Sequence, residues 1–182
     1  MNALVRHFSF PNVFINRIAY LNSLYSNQTR ETDLLINVYV NDEMIMIPYR
    51  IYHLEPSVHL FDSLDVDHRN IIYCYFTRHH DGKIRERNLL NIISLNEPWI
   101  VPYIIQLIGE YVIEILDVIW SNFENFEINL YRDFINNNPI YFSKIKQKMI
   151  SYWDCYYRYK YPNINNYVGY KLVNALEFSG KL

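Results

Sequence analysis

Residues 77–93 read TRHHDGKIRERNLLNII, and this stretch determines how the rest of the chain is interpreted. Two histidines, an aspartate, a lysine and three arginines fall within its first eleven residues. Such a cluster is either a metal or catalytic site or the corner between two packed helices. Asp81-Gly82 is a turn signal, because Gly82 can adopt a positive φ. We therefore expect one helix to end near His79 and another to follow Gly82.

The residue types in this cluster favour a corner over a site of chemistry. His79 and His80 are adjacent, so on a helix their rings point in different directions, a poor geometry for one metal ion. Asp81 can accept hydrogen bonds from N–H groups where the second helix begins, and Arg85 can bind the end of a neighbouring helix. An enzyme or metalloprotein built on His79 and His80 is the least favoured interpretation.

The chain also lacks the usual sequence patterns of catalysis and cofactor binding. It contains no HExxH, CxxC, GxGxxG or Walker pattern, no Ser-His-Asp order and no Gly-x-Ser-x-Gly elbow. We therefore expect a protein with no catalytic residues, no metal and no cofactor, and not an enzyme.

Apolar residues recur at helical spacing on both sides of the corner, over residues 64–79 and from Gly82 to about Ser94. A long third helix is predicted over residues 99–120, WIVPYIIQLIGEYVIEILDVIW. That length could span a bilayer, but polar groups at four positions would be costly in lipid, so we interpret it as an amphipathic helix with no membrane contact. The four groups are Gln106, Glu110, Glu114 and Asp117.

The remaining segments complete a mainly α fold. Further helices are predicted over residues 8–25, 125–135, 139–159 and 167–178. Residues 36–52, INVYVNDEMIMIPYRIY, instead alternate apolar and polar side chains around Asn41-Asp42, which predicts a hairpin. A chain of 182 residues can bury the core of one domain. We therefore expect a single compact multi-helix domain over residues 1–182, with one short β-hairpin near residues 36–52.

Composition narrows the class of protein. Apolar residues make up 51% of the chain and charged residues 20%, which is typical of a globular protein. The formal net charge of -2 gives no overall attraction to nucleic acid or an anionic membrane. The start lacks the apolar run of a secretory signal, and the two cysteines are expected to be buried reduced thiols, so we expect a cytoplasmic protein. Abundant Ile, Asn and Tyr point to an AT-rich genome or genomic island.

The first candidate binding surface is acidic. Residues 97–133 contain seven acidic side chains and one basic one, a local net charge of -6. On one helix, Glu110, Glu114 and Asp117 would lie within about 60° of each other and project to solvent. Such a stripe is commonly a solvated face, but a basic partner would relieve its repulsion. The predicted partner-binding residues are Glu97, Tyr103, Glu110, Glu114, Asp117 and Glu124.

The second candidate surface is residues 144–161, KIKQKMISYWDCYYRYKY, which carry a local net charge of +4. Basic and aromatic residues interleaved in this way could bind nucleic acid through phosphate contacts and base stacking. The alternative is a core-facing aromatic stripe flanked by lysines, and the regular helical spacing favours it. The nucleic-acid-binding residues would be Lys144, Lys146, Lys148, Arg158 and Lys160.

Two resemblances add to these patterns. DGKIRERNLL resembles the start of the second helix of a HEAT repeat, which implies a HEAT-like helical core over residues 64–120. IPYRIYHLEP, TRHHDGKIRERNLL and PWIVPYIIQLIGEYVIEIL together resemble small cytoplasmic proteins of bacterial genomic islands, some of which are immunity proteins of contact-dependent or polymorphic toxin systems.

The second resemblance implies an inhibitor that binds a cognate toxin, often a basic nuclease domain, and blocks its active site. The acidic surface agrees with this, since charge complementarity increases association rate and selectivity. The alternative is a helical nucleic-acid-binding protein that uses residues 144–161. A helical scaffold with some other protein partner also fits the sequence.

Overall fold

The computed structural model describes residues 4–24 and 34–178. In these ranges the chain forms nine α-helices, one two-stranded antiparallel hairpin and several shorter helical turns. The predicted mainly α fold with one short hairpin is therefore confirmed. The chain divides into two compact units, Met1–Ile92 and Ile93–Leu182. The expectation of a single domain stays a prediction, and each unit is described by itself.

The first unit contains four helices and the hairpin. The helices are α1 (Ile15–Leu24), α2 (Val58–Asp62), α3 (Val66–Phe76) and α4 (Gly82–Ile92). The strands are β1 (Leu35–Val40) and β2 (Glu43–Pro48). The predicted first helix begins later than expected, because two 3-10 turns, His7–Ser9 and Asn12–Phe14, come before Ile15. Residue 25, the last residue of this predicted helix, lies outside the described residues.

The hairpin turn is the one that its sequence predicts. Asn41 and Asp42 have φ values of 48° and 64°. Two consecutive residues in the left-handed region form the tight turn whose twist matches that of paired strands, and Asn and Asp tolerate it well. The register pairs Val40 with Glu43. Val38 is buried and Tyr39 is exposed, so one face of the hairpin packs into the core of this unit.

Residues 77–82 form the expected corner between α3 and α4. The Asp81 side chain accepts a hydrogen bond from the backbone N–H of Lys83, 2.8 Å from Oδ1. That bond holds the pKa of the Asp81 carboxyl below its ordinary value. Arg85 is fully buried, and its Nη1 donates to the carbonyl oxygens of His79 and His80, each at 2.9 Å. The two roles predicted for Asp81 and Arg85 are confirmed.

Gly82 itself differs from expectation. It is the first residue of α4, and none of the described glycines has a positive φ. The chain changes direction over residues 77–81, and two backbone hydrogen bonds with Ile51 stabilise this turn. The Ile51 N–H donates to Arg78 O, and its own carbonyl accepts from the His80 N–H, both at 3.0 Å. The corner is therefore anchored to the segment that leaves the hairpin.

The second unit contains the other five helices. They are α5 (Val101–Ile108), α6 (Ile113–Ser121), α7 (Ile128–Asn137), α8 (Pro139–Tyr152) and α9 (Val168–Glu177). A π-helical turn, Trp153–Tyr157, directly follows α8. Helix α5 is buried along its whole length and packs against the other four, so it is the core of this unit. No helix in the described ranges is long and apolar enough to cross a membrane.

The prediction of a single helix over residues 99–120 is wrong. It is broken between Ile108 and Ile113, where Gly109 ends α5 and Val112 adopts extended backbone angles (φ -84°, ψ 105°). The Tyr157 hydroxyl donates a hydrogen bond to the Tyr111 carbonyl at this break. Glycine weakens a helix, and a hydrogen bond from another segment satisfies a carbonyl that the helix would otherwise use. The spacing of apolar residues reflects neither effect, so it predicts one helix where the structure has two.

A candidate protein-binding surface

His79, from the opening cluster, is a structural residue. The Asp81 N–H donates to its Nδ1 at 3.1 Å, which leaves the proton on Nε2, and Nε2 lies 3.1 Å from the His53 carbonyl. Both ring nitrogens are therefore engaged by backbone groups. Burial is the main cause that lowers the pKa of His79, and the neighbouring His80 lowers it further. A neutral ring that is hydrogen-bonded through both nitrogens accounts for the burial of His79.

Over residues 4–24 and 34–178, no three His, Cys, Asp or Glu side chains are grouped so that they could hold a metal ion.

Two of the six predicted partner-binding residues are buried. The helix break removes Glu110 from the face shared by Glu114 and Asp117, and Glu110 is 2% exposed. Tyr103 lies in the core helix α5 and is fully buried. The expectation that Glu110 projects to solvent is therefore wrong. In this conformation neither Glu110 nor Tyr103 is accessible to a partner.

The other four predicted acids are exposed and lie at the two ends of α6. Glu114 and Asp117 occupy its first half. Glu97 and Glu124 lie in two loops that are bound together, since Asn96 Nδ2 donates to the Asn125 carbonyl at 3.2 Å. The structure thus keeps an acidic pair on the helix and a second acidic site beyond its end.

Tyrosines extend the surface beside the acidic pair. Tyr111 and Tyr156 are 47% and 66% exposed, with ring centroids 6.3 Å apart. Tyr152 lies between them, 5.8 Å from Tyr111 and 6.1 Å from Tyr156. Tyr159, two residues after the π-helical turn, is 99% exposed. Large rings that remain exposed in a cluster are a typical feature of a site that another molecule covers.

The tyrosines and the acids belong to one surface. Glu114 and Asp117 both lie close enough to Tyr157 to help raise the pKa of its hydroxyl, although burial is the larger cause. Burial also raises the pKa of the Asp117 carboxyl, while Lys160 opposes that shift. We call Tyr111, Glu114, Asp117 and Tyr156 the tyrosine–acid surface. It combines rigid aromatic rings with two carboxylates, one of them partly desolvated.

The basic residues predicted as a nucleic-acid site are mostly next to acids of the same chain. Lys146 pairs with Glu177 at 2.5 Å, and Arg158 pairs with Asp154 at 2.8 Å. Tyr161 is the main cause that raises the pKa of Lys160, and nearby Asp117 raises it further. Lys144 is exposed, and Lys148 is half-buried. Two of the five predicted nucleic-acid-binding residues, Lys146 and Arg158, are thus paired with acids of the same chain.

Sequence reasoning missed the exposed Tyr156 because of the π-helical turn. The core-facing stripe predicted within residues 144–161 places Ile145, Met149 and Tyr156 at helical spacing. Ile145 and Met149 are buried, whereas Tyr156 is exposed. A π-helical turn inserts one extra residue, which rotates later side chains by about 100°. The available sequence signal is the density of tyrosine between residues 152 and 161. The same change of phase exposes Cys155, which was expected to be buried.

Comparisons of the chain with protein-family models, curated proteins and solved structures found no match. The resemblances to immunity proteins and to HEAT repeats therefore stay predictions from the sequence. The function proposed below depends on the chemistry of the tyrosine–acid surface.

Proposed function

We propose that this protein is a cytoplasmic inhibitor of the immunity type, which neutralises a cognate toxin by binding it and covering its active site. The observation that carries the proposal is the tyrosine–acid surface, where Tyr111 and Tyr156 remain exposed beside Glu114 and Asp117. A toxin domain with a basic active-site cleft, such as a nuclease, is the partner that this chemistry fits best.

Each part of the surface has a separate task in binding. Tyrosine provides large contact area with few rotatable bonds, and it is enriched among the residues that carry most of the binding free energy. Carboxylates at the edge of the contact attract a basic partner from a distance and so increase the association rate. Glu114 and Asp117 are both exposed, so a Lys or Arg of the partner can reach either carboxylate.

The nucleic-acid alternative is supported less well. Binding to phosphates requires cations that are available to displace counterions. Lys146 and Arg158 already pair with acids, and Asp117 lies near Lys160. A nucleic acid approaching Tyr156 would also meet the carboxylates of Glu114 and Asp117. The same features favour a basic protein over a polyanion.

The test uses the neighbouring gene. An inactivated toxin domain encoded next to this gene is purified, and its binding to the protein is measured over a series of salt concentrations. We expect Tyr156→Ala to weaken binding by at least about tenfold, the loss typical of a central aromatic contact. Glu114→Lys should slow association, most strongly at low salt.

Asp133→Lys is the matched control for Glu114→Lys, because Asp133 is also an exposed acid on a helix of the same unit but lies outside the surface. It should change association much less than Glu114→Lys does. Equal effects of the two charge reversals, together with full binding by Tyr156→Ala, would refute the proposal. So would the absence of a toxin gene beside this one, or preferential binding of DNA or RNA.

A further inference from the structure

A groove in the first unit has a chemical character that the proposed function does not use. It has a volume of about 350 Å³ and lies between α2, α3 and α4. This volume is at the lower end of the range for small-molecule sites. Phe61, Ile72, Tyr73 and Phe76 form much of its apolar lining. A single ring with a short side chain is an occupant of suitable size.

Two asparagines on the α4 side of the groove present acceptors. The Nδ2 group of Asn88 donates to the Ile84 carbonyl, and that of Asn91 donates to the Arg87 carbonyl, each at 2.8 Å. A carbonyl can only accept, so these bonds fix which end of each amide is nitrogen. In the described part of the chain, the Oδ1 atoms of Asn88 and Asn91 have no donor. Asn88 is 5% exposed, so its amide is held in place by packing.

The charged residues that line the groove also favour an occupant that donates hydrogen bonds or carries positive charge. Glu55, Asp62 and Arg87 line it, which gives a net charge of -1. Arg87 is committed to Glu55 through a hydrogen bond and ion pair. Within the described ranges, the Asp62 carboxylate has neither a hydrogen bond nor an ion pair. An occupant with a negative charge would meet Asp62, and one without donors would leave the acceptors unsatisfied.

Aromatic rings add a second preference for positive charge. Phe61 and Tyr73 pack against each other in the groove, with ring centroids 5.1 Å apart and planes tilted by 55°. A tilted pair of this kind can present a ring face to an occupant, and ring faces attract cations. The lining therefore combines an apolar floor, aromatic faces and three acceptor groups, which belong to Asp62, Asn88 and Asn91. The cation that lines the groove, Arg87, already has an acidic partner.

We propose that this groove binds a small organic cation, an apolar or aromatic body that carries an ammonium or guanidinium group. The body packs on Phe61 and Phe76, and the cationic head donates to Asp62 and to the Oδ1 atoms of Asn88 and Asn91. The site belongs to the first unit, and its occupation does not depend on the tyrosine–acid surface.

The test compares three probes of similar size and different charge, 2-phenylethylamine, 2-phenylethanol and 3-phenylpropionate. Each is titrated into the full-length protein labelled with ¹⁵N, and amide shifts are followed by NMR. We expect the amine to shift amides of residues 55–62, 72–76 and 88–91, and to bind at least about fivefold more tightly than the alcohol. The carboxylate should bind more weakly than the alcohol.

Two variants of the groove change the charge in opposite directions. Asp62→Asn should weaken binding of the amine, and Asn91→Asp should strengthen it, each by roughly fivefold. Asp42→Asn is the control for Asp62→Asn, because it also removes one negative charge from the first unit. It does so at the exposed hairpin turn, where Asn is tolerated. It should leave the affinity unchanged. Equal affinity for the three probes, shifts mapping elsewhere, or no effect of Asn91→Asp would overturn the proposal.

Discussion

Glu110 and Glu114 are four residues apart, yet their environments are opposite. Glu110 is 2% exposed in the break between α5 and α6, whereas Glu114 is exposed in the first turn of α6. A buried carboxylate persists only with compensating interactions, so its replacement is costly. An exposed acid near a helix N-terminus contributes a fraction of a kcal/mol through the helix dipole. The stability effect of a charge at each position therefore depends on its burial and not on its place in the acidic stripe.

Replacing each of these acids by lysine should separate the two environments. We expect Glu110→Lys to lower the free energy of unfolding by about 3 kcal/mol or more, since it places an opposite charge in a site arranged for a carboxylate. Glu114→Lys should lower it by about 1 kcal/mol or less. Urea denaturation followed by circular dichroism measures both. Similar losses in the two variants would mean that Glu110 is not buried in solution.

Two tyrosine hydroxyls provide a second contrast at this scale. Tyr167 is fully buried, burial raises the pKa of its hydroxyl, and that hydroxyl has no hydrogen-bond partner within the described residues. Tyr167→Phe should leave stability unchanged or increase it by about 1 kcal/mol, because it removes an unsatisfied polar group. Tyr157→Phe should instead reduce stability by about 1 kcal/mol, because the Tyr157 hydroxyl binds the Tyr111 carbonyl at the helix break. Thermal denaturation of both variants checks this. A lower stability of Tyr167→Phe than of the unmodified protein would be the contrary result.

Among the elements, the corner and the hairpin were predictable, and the reason is chemical. Asn41-Asp42 and Asp81 act through local bonds whose residue preferences are strong, so their sequences indicate the structure directly. The helix break after Ile108 and the π-helical turn were not predictable, because both depend on contacts between distant segments, such as that of Tyr157 with Tyr111. Half of the candidate surface depends on those two features. The exposed acids were therefore identified from the sequence, and the exposed tyrosines were not.

The corner itself can be tested with two arginines of α4. Arg85→Lys should lower the free energy of unfolding by about 2–4 kcal/mol, because the shorter lysine side chain does not reach the position from which Arg85 Nη1 donates to the carbonyls of His79 and His80. Arg87→Lys, at a largely exposed ion pair with Glu55, should cost about 1 kcal/mol or less. Guanidinium denaturation ranks the two. A larger loss in Arg87→Lys would contradict the account of the corner.

At the scale of the whole molecule, acid sensitivity is concentrated in the first unit. The pKa values of Asp65 and Asp81 are lowered, in each case first by a backbone hydrogen bond at a helix start. Their stabilisation is present above the ordinary carboxyl pKa of 3.8 and is lost as the pH falls through the lowered values. His79 also has a lowered pKa, so the unfolded chain takes up its proton first. Its contribution is lost as the pH falls below 6.5.

We therefore expect the free energy of unfolding to fall in two steps as the pH is lowered, the first below pH 6.5, where the contribution of His79 is lost, and the second below pH 3.8, where those of Asp65 and Asp81 are lost. Asp117 in the second unit acts in the opposite sense, because its pKa is raised, mainly by partial desolvation of its carboxyl group. Urea denaturation at each pH measures the profile. Asp81→Asn should reduce the second step without abolishing the first. A profile that Asp81→Asn leaves unchanged would exclude this residue as a cause.

The exposure of Cys155 gives the protein a natural attachment point for a reporter. Its two cysteines differ sharply, since Cys74 is buried and burial raises the pKa of its thiol, whereas Cys155 is exposed in the π-helical turn beside Tyr156. A maleimide dye should therefore label the native protein at one position without any engineered substitution. Fluorescence from that dye would report the docking of a toxin domain in real time, and it would stay silent when an amine enters the groove of the first unit.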